Sequence, residues 1–207
     1  PSSDYELVQQ SFDMLALLNG EIDAAQAMIY NEYAQMLEST NPATGQRVTA
    51  DDLSVIDWND EGTAMLQDAL WADGARLGDA DYADITTRFV AASLEGWMHC
   101  RDNSAGCVEI VLNNGSSLGA SHQAWQMNEI NGLIWPSPDG AGVMDEGLWA
   151  QTVNVATSQG ILAAAPDSGA YTTEYAEAAV EMLKNRGVDT TGKNWRRVEV
   201  TLNAGGE

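Results

Sequence analysis

The pattern of apolar and polar positions changes character once along the chain, near residue 80. Before that point, short apolar runs alternate with helical periodicities. The first segment, DYELVQQSFDMLALLNGEI, reads as a helix closing at Asn19–Gly20, with Leu7, Phe12, Leu15 and Leu18 as its buried stripe. DAAQAMI follows as a short apolar strand, and NEYAQMLEST as a helix. STNPATGQ is a loop by its Asn-Pro and Thr-Gly punctuation. LSVID and MLQDALWAD then read as two further strands. Strands alternating with helices predict βαβ units and a mostly parallel sheet, so the expected fold class is α/β.

Beyond Ala80 the pattern turns helical. DYADITTRFVAASLEGWMHCRD carries a stripe of Ile85, Phe89, Ala92, Gly96 and Trp97. SAGCVEIVLNNG is a shorter helix closing on Gly115, and SHQAWQMNEINGLIWPSP starts from a Ser121 cap and breaks at Pro136. A helix from about Asp145 stops at Gly160, and TTEYAEAAVEMLKNRG gives another, capped by Thr172 or Thr173 and ended by Gly187. VEVTLN reads as an edge strand. Three or four strands are too few to cover five or six helices, so part of the sheet is expected to lie outside this sequence. No internal repeat or low-complexity segment is visible.

Charge narrows the partners. The 207 residues hold 31 acids against 9 Lys and Arg, a net charge of −22. Such a surface repels nucleic acid and anionic membranes, and neither is expected as a partner. Otherwise the composition, 44% hydrophobic and 19% charged, is that of an ordinary globular protein. No apolar stretch reaches the roughly 18 residues of a spanning helix. The chain opens at PSSDYELVQQ without an initiator Met, which reads as a processed or truncated product.

Candidate chemistry gathers at two strand ends, Tyr30-Asn31-Glu32-Tyr33 and Trp58-Asn59-Asp60-Glu61. If their strands neighbour each other in a parallel sheet, both loops open on one edge. The crevice would then have aromatic walls for a planar ring and carboxylates to accept from its N–H groups. The plainer reading makes Asn31 or Asp60 a helix N-cap, and Tyr30 and Trp58 core or rim aromatics. Of the seven tryptophans, Trp97 and Trp149 fall in apolar stripes and are assigned to the core, while Trp71 and Trp125 stay open as site walls. Neither His99 nor His122 has a Ser or Cys nearby in sequence in a nucleophile setting. GAGVMDEG lacks the Lys-Ser/Thr ending of a phosphate loop. Nothing in the pattern calls for a catalyst, a metal or a cofactor. Cys100 and Cys107 flank RDNSAG, a helix-turn-helix corner; their spacing fits a bonded pair and two reduced core thiols equally.

The blocks GEIDAAQAMIYNEYAQML, VIDWNDEGTAMLQDALWA, GWMHCRDNSAGCVEIVL and HQAWQMNEINGLIWPSPDGAGVMD resemble, in order, parts of the periplasmic substrate-binding proteins of ABC importers. The branch is that of the nitrate, sulfonate and taurine binders and of the thiamine-pyrimidine-precursor binders and synthases. The resemblance runs from about Leu15 to Val200. It implies a two-lobed, type II periplasmic-binding-protein architecture with an interlobe cleft. Residues 1–62 would be part of the second lobe, and 63–207 the returning segment of the first lobe plus C-terminal helices. The N-terminal part of the first lobe would be missing.

The resemblance further implies a solute-binding function in the periplasm, with lobe closure and delivery to an ABC permease in the inner membrane. Tyr30, Asn31 and Glu32 match a cleft segment in which a glutamate accepts from an aminopyrimidine, and Trp58, Asn59 and Asp60 match a second cleft loop. The cysteine pair matches one common in the branch, which implies a disulfide. Because these loops are acidic, a neutral or cationic planar heterocycle, a thiamine pyrimidine precursor or a flavin such as riboflavin, is favoured over a sulfonate or nitrate. The alternative is a pyrimidine-synthase-like enzyme holding pyridoxal phosphate on a lysine. Against it, the two lysines, Lys184 and Lys193, lie far along the chain from the proposed cleft loops.

Overall fold

The computed structural model describes residues 4–115 and 117–207. Among these, the chain forms seven α-helices: α1 Leu15–Leu18, α2 Glu32–Glu38, α3 Ala80–Asp102, α4 Ser104–Asn113, α5 Ala120–Ile134, α6 Glu146–Ser158 and α7 Glu174–Asn185. Two 3-10 turns, Ala50–Asp52 and Ala204–Gly206, complete the regular structure. The described residues contain no β-strand; an isolated antiparallel bridge joins Thr40 to Arg47. The expected α/β fold, with its parallel sheet and its two-lobed periplasmic-binding-protein architecture, is therefore overturned. No helix among the described residues is long and apolar enough to cross a membrane.

The reason lies in what the strand-like segments bond to. An extended backbone needs partners for its N–H and C=O groups, and a sheet supplies them from a neighbouring strand. Here side chains supply them. Gln10 accepts from the Gln26 N–H at 2.9 Å and donates to its carbonyl at 2.8 Å, so DAAQAMI has a carboxamide where a strand neighbour would be. Asn128 does the same to Val198 in VEVTLN, accepting at 3.0 Å and donating at 3.1 Å. Along MLQDALWAD, Thr152 accepts from the Leu66 N–H and Tyr82 from the Asp73 N–H, while Gln151 donates to the carbonyl of Ala64 just before it. The apolar side chains of these segments stay largely outside the core: Val55, Ile56, Leu70 and Val198 are all more than half exposed.

The N-terminal helix is also shorter than its pattern. Asp13 accepts from the Leu15 N–H at 3.0 Å and starts α1 there, while Gln10 is held by Gln26. Leu7 and Phe12, expected in a buried stripe, are 88% and 97% exposed. Met14 takes the buried position instead. In α5 the expected Ser121 cap lies inside the helix, where its hydroxyl accepts from the Asn203 N–H at 2.9 Å. The remaining helices follow the sequence closely. Asp145 caps α6 through the Leu148 N–H at 2.9 Å, and α7 carries Glu174 and Glu177 in its first turn and Lys184 in its last, each charge opposing the local helix dipole.

The chain divides into two compact units. The first comprises residues 4–54, 100–134 and 196–207. Its apolar nucleus is Met14, Met36 and Val48, with Leu17, Leu18, Ala25 and Leu53 packed against it. α2, α4, α5 and the C-terminal turn meet in it, and the Cys100–Cys107 disulfide closes the corner between α3 and α4 with Cα atoms 5.4 Å apart. That bond agrees with what the family resemblance implied.

The second unit comprises residues 55–99 and 135–195. Its interior is Val90, Ala91, Leu94 and Met98 of α3, Ala156 of α6, Ala176, Ala179, Val180 and Leu183 of α7, and Trp135. The GAGVMDEG segment serves close packing here: Gly140 (φ +110°) and Gly142 (φ +81°) lie where a Cβ would come within 2.8 Å of Val180 and 3.0 Å of Leu94. The α3 stripe read from sequence faces the other way. Ile85, Phe89 and Trp97 are 53%, 60% and 41% exposed, so Trp97 is not the core residue expected. Trp149 is half-buried, its ring 4.7 Å from that of Tyr171.

Two predictions follow from these contacts. Replacing Cys100 and Cys107 with serine should cost about 2–3 kcal/mol, the loop-closure value for so short a ring, read as a lower urea midpoint against the oxidised protein. In the second unit Arg186 donates twice to Glu95, at 2.6 and 2.8 Å, and these hydrogen bonds hold the Glu95 carboxyl below its ordinary value of 4.5. A depressed carboxyl stabilises the fold above that ordinary value and loses the contribution as pH falls through the depressed one. Arg186→Gln should therefore lower the unfolding midpoint at neutral pH, with the difference from wild type closing in the acid range.

Candidate functional site

Helix α5 is unusual in what it buries. Ser121, His122, Gln123, Asn128, Glu129 and Asn131 are all under 10% exposed, so its inner face is mainly polar. Buried polar groups persist only when partnered, and those partners define the site. Asn128 holds Val198, and Glu129 meets Arg197 at 3.2 Å. His122 has no exposed surface at all. Its Nδ1 lies 2.8 Å from Glu38 Oε1 and its Nε2 lies 3.1 Å from Asn31 Oδ1, both acceptors contributed by α2 and its N-cap.

The orientation of Asn31 is fixed locally. Its Nδ2 donates to Glu32 Oε1 at 3.1 Å, and its Oδ1 also accepts from Gln35 Nε2 at 3.1 Å. A carboxyl oxygen and an amide oxygen thus face the imidazole from both sides. The C-terminal turn closes over the pair: a Cβ at Gly206 would sit 3.0 Å from both Glu38 Oε2 and His122 Cβ.

In the same unit a cavity of about 350 Å³ is lined by Leu37, Arg47, Val48, Thr49, Trp125, Val200 and Leu202. Trp125 forms its aromatic wall. The indole Nε1 donates to the Ile29 carbonyl at 2.9 Å, and Tyr33 sits 6.4 Å away, tilted by 38°. Arg47 ties two walls together, donating to the carbonyls of Leu37 and Leu202, each at 2.6 Å. Thr49 donates from its hydroxyl and its backbone to Asp52, which holds that carboxyl below its ordinary value. The cavity therefore offers one indole, an aliphatic lining and a polar edge at Thr49 and Arg47.

Of the residues singled out from sequence, Tyr30, Asn31, Glu32 and Trp125 lie in this unit. Asn31 is the N-cap of α2, as the plainer reading had it. Glu32 accepts from the Met28 N–H at 2.9 Å and from Asn31, so both its oxygens serve the helix start and it does not line the cavity. Trp58, Asn59, Asp60 and Trp71 belong to the second unit. Asp57 accepts from the Asn59 backbone and amide there, and Trp58 and Trp71 are 56% and 88% exposed.

Sequence reasoning missed His122, Glu38 and Arg47. A usable signal existed for the first two: Asn31, Gln35 and Glu38 recur at helical spacing, marking a polar stripe on α2 that needs a polar counterpart. Among the described residues no group of three or more His, Cys, Asp or Glu side chains could hold a metal ion.

The buried pair gives a sharp test. His122→Leu leaves the buried Glu38 carboxyl without its partner and should cost about 1–3 kcal/mol in urea unfolding, whereas His122→Leu with Glu38→Met should recover much of that loss. Comparison of the chain with family models, with curated proteins and with solved structures found no match.

Proposed function

We propose that this protein binds a small planar heterocycle, as the solute-capturing component of an import system, and that Trp125 is the stacking wall of its binding site. The observation that carries the reading is the cavity at Trp125. Its volume falls at the lower end of small-molecule sites, and its mostly apolar lining with few polar groups is their usual chemistry.

Two further observations favour binding over catalysis. Both ring nitrogens of His122 are engaged in the interior, and both cysteines are consumed in the disulfide. These three side chains are thus committed to structure. The importer context, the periplasmic location and the permease partner come from the sequence resemblance, and the oxidised cysteine pair is compatible with that compartment. Because the proposal uses a cavity within one compact unit, it does not depend on closure of two α/β lobes.

Titration calorimetry with aminopyrimidines, riboflavin, taurine and nitrate tests the ligand class. A pyrimidine should bind, and Trp125→Ala should weaken it at least tenfold, as the loss of one stacking wall requires (about 1.4 kcal/mol). Binding of taurine or nitrate without any heterocycle would overturn the ligand class, and heterocycle binding indifferent to Trp125→Ala would overturn the site.

A further inference from the structure

The exposed face of α3 is patterned for another helix. Ile85, Phe89, Ala92 and Gly96 recur at steps of four, three and four, which places them within about 60° of one another on the helix surface. Trp97 extends the face, giving a seam about 18 Å long. Opposite it, Val90, Ala91, Leu94 and Met98 are buried, so α3 already has its core contact and presents a second apolar face beyond it. Steps of four and three are those of a coiled-coil seam.

The order of sizes along the seam selects the occupant. Two large residues, Ile85 and Phe89, are followed by two small ones, Ala92 and Gly96. We propose that this face pairs with the same face of a second copy, α3 running antiparallel to α3. In that register Ile85 rests on the partner's Gly96 and Phe89 on the partner's Ala92, and the two-fold axis repeats both contacts. Every layer then joins a large residue to a small one. A parallel pair would instead stack Phe89 on Phe89 and leave Gly96 facing Gly96, crowded at one end and hollow at the other. The charges flanking the seam are already paired within each copy, Arg88 with Asp84 at 2.9 Å and Glu95 with Arg186, so size and not charge selects the register. The open space around Gly96, where a Cβ meets nothing within 4 Å, is what the partner's Ile85 would fill.

Two copies, each of net charge −22, repel one another. The dimer is therefore strengthened by salt, the reverse of an association driven by opposite charges. One seam of about 18 Å makes a small interface, so the dimer is expected to be weak and to dissociate on dilution.

Sedimentation velocity over a concentration series at low and high salt, together with thiol cross-linking, tests this. The protein has no free cysteine among the described residues, so introduced thiols report cleanly. Ile85→Cys mixed with Gly96→Cys should give a cross-linked dimer under mild oxidation, while either variant alone should give little. Gly96→Leu, which the monomer accommodates, should weaken the dimer at least tenfold while keeping the wild-type unfolding midpoint or raising it. A monomer at every concentration and salt would overturn the proposal and leave the face to a different polypeptide. A dimer indifferent to Gly96→Leu, or cross-linking of each variant with itself, would overturn it equally.

Discussion

The structure depends on how a chain with strand-like segments satisfies its extended backbone without a sheet. A carboxamide side chain carries the same donor and acceptor as a peptide group, and three of them are used here in that capacity. Gln10 clasps Gln26, Asn128 clasps Val198, and Gln151 holds the carbonyl of Ala64. Each clasp serves one peptide group where a strand neighbour would serve a whole row. Extended segments held this way are pinned at points, and their apolar side chains find no second layer to enter. The exposure of Val55, Ile56, Leu70 and Val198 is the consequence.

The same economy explains the polar interior of the first unit. Helix α5 buries a histidine, two asparagines, a glutamine and a glutamate where bundle helices usually bury leucine. Polar groups in that position hold specific partners rather than fill volume. They fix the register of what packs on them: His122 reads α2 through Glu38 and Asn31, Ser121 and Asn128 read the returning C-terminal segment, and Glu129 meets Arg197. Removing one member of such a set strands the others, because each buried group relies on a specific partner.

Helix positions were legible where start and stop signals coincide with periodicity. Asp145 and Gly160 bracket α6, and Thr173 and Gly187 bracket α7, because caps and terminators act within one turn and need no tertiary context. What failed was everything depending on a distant segment. LSVID and MLQDALWAD have strand composition, but a strand exists only if a neighbour completes its ladder. The Ile85–Phe89–Trp97 stripe was read correctly as an apolar face and wrongly as the inward one, because α3 has two such faces and periodicity ranks them by hydrophobicity, not by partner. At the site, Asn31 and Trp125 were recoverable as polar and aromatic markers. The polar stripe on α2 marks Glu38 and its need of a polar counterpart, but 84 residues separate Glu38 from His122, so no local rule names that counterpart, and none marks Arg47.

The cavity at Trp125 inherits this long-range construction. Its walls come from residues 37–49, from α5 and from residues 200–202, segments that meet because Arg47 donates to both Leu37 and Leu202. Such a cavity exists only while the returning segment is docked. Any molecule seated there binds the docked form and not the undocked one, so its binding free energy adds to the cohesion of the whole unit. The converse also holds. Undocking of Val200 and Leu202 removes two of the cavity's walls, so local opening of the C-terminal segment dismantles it. The clasp at Asn128 and the bonds at Arg47 and Ser121 therefore keep these walls in place, although Asn128 and Ser121 do not line the cavity.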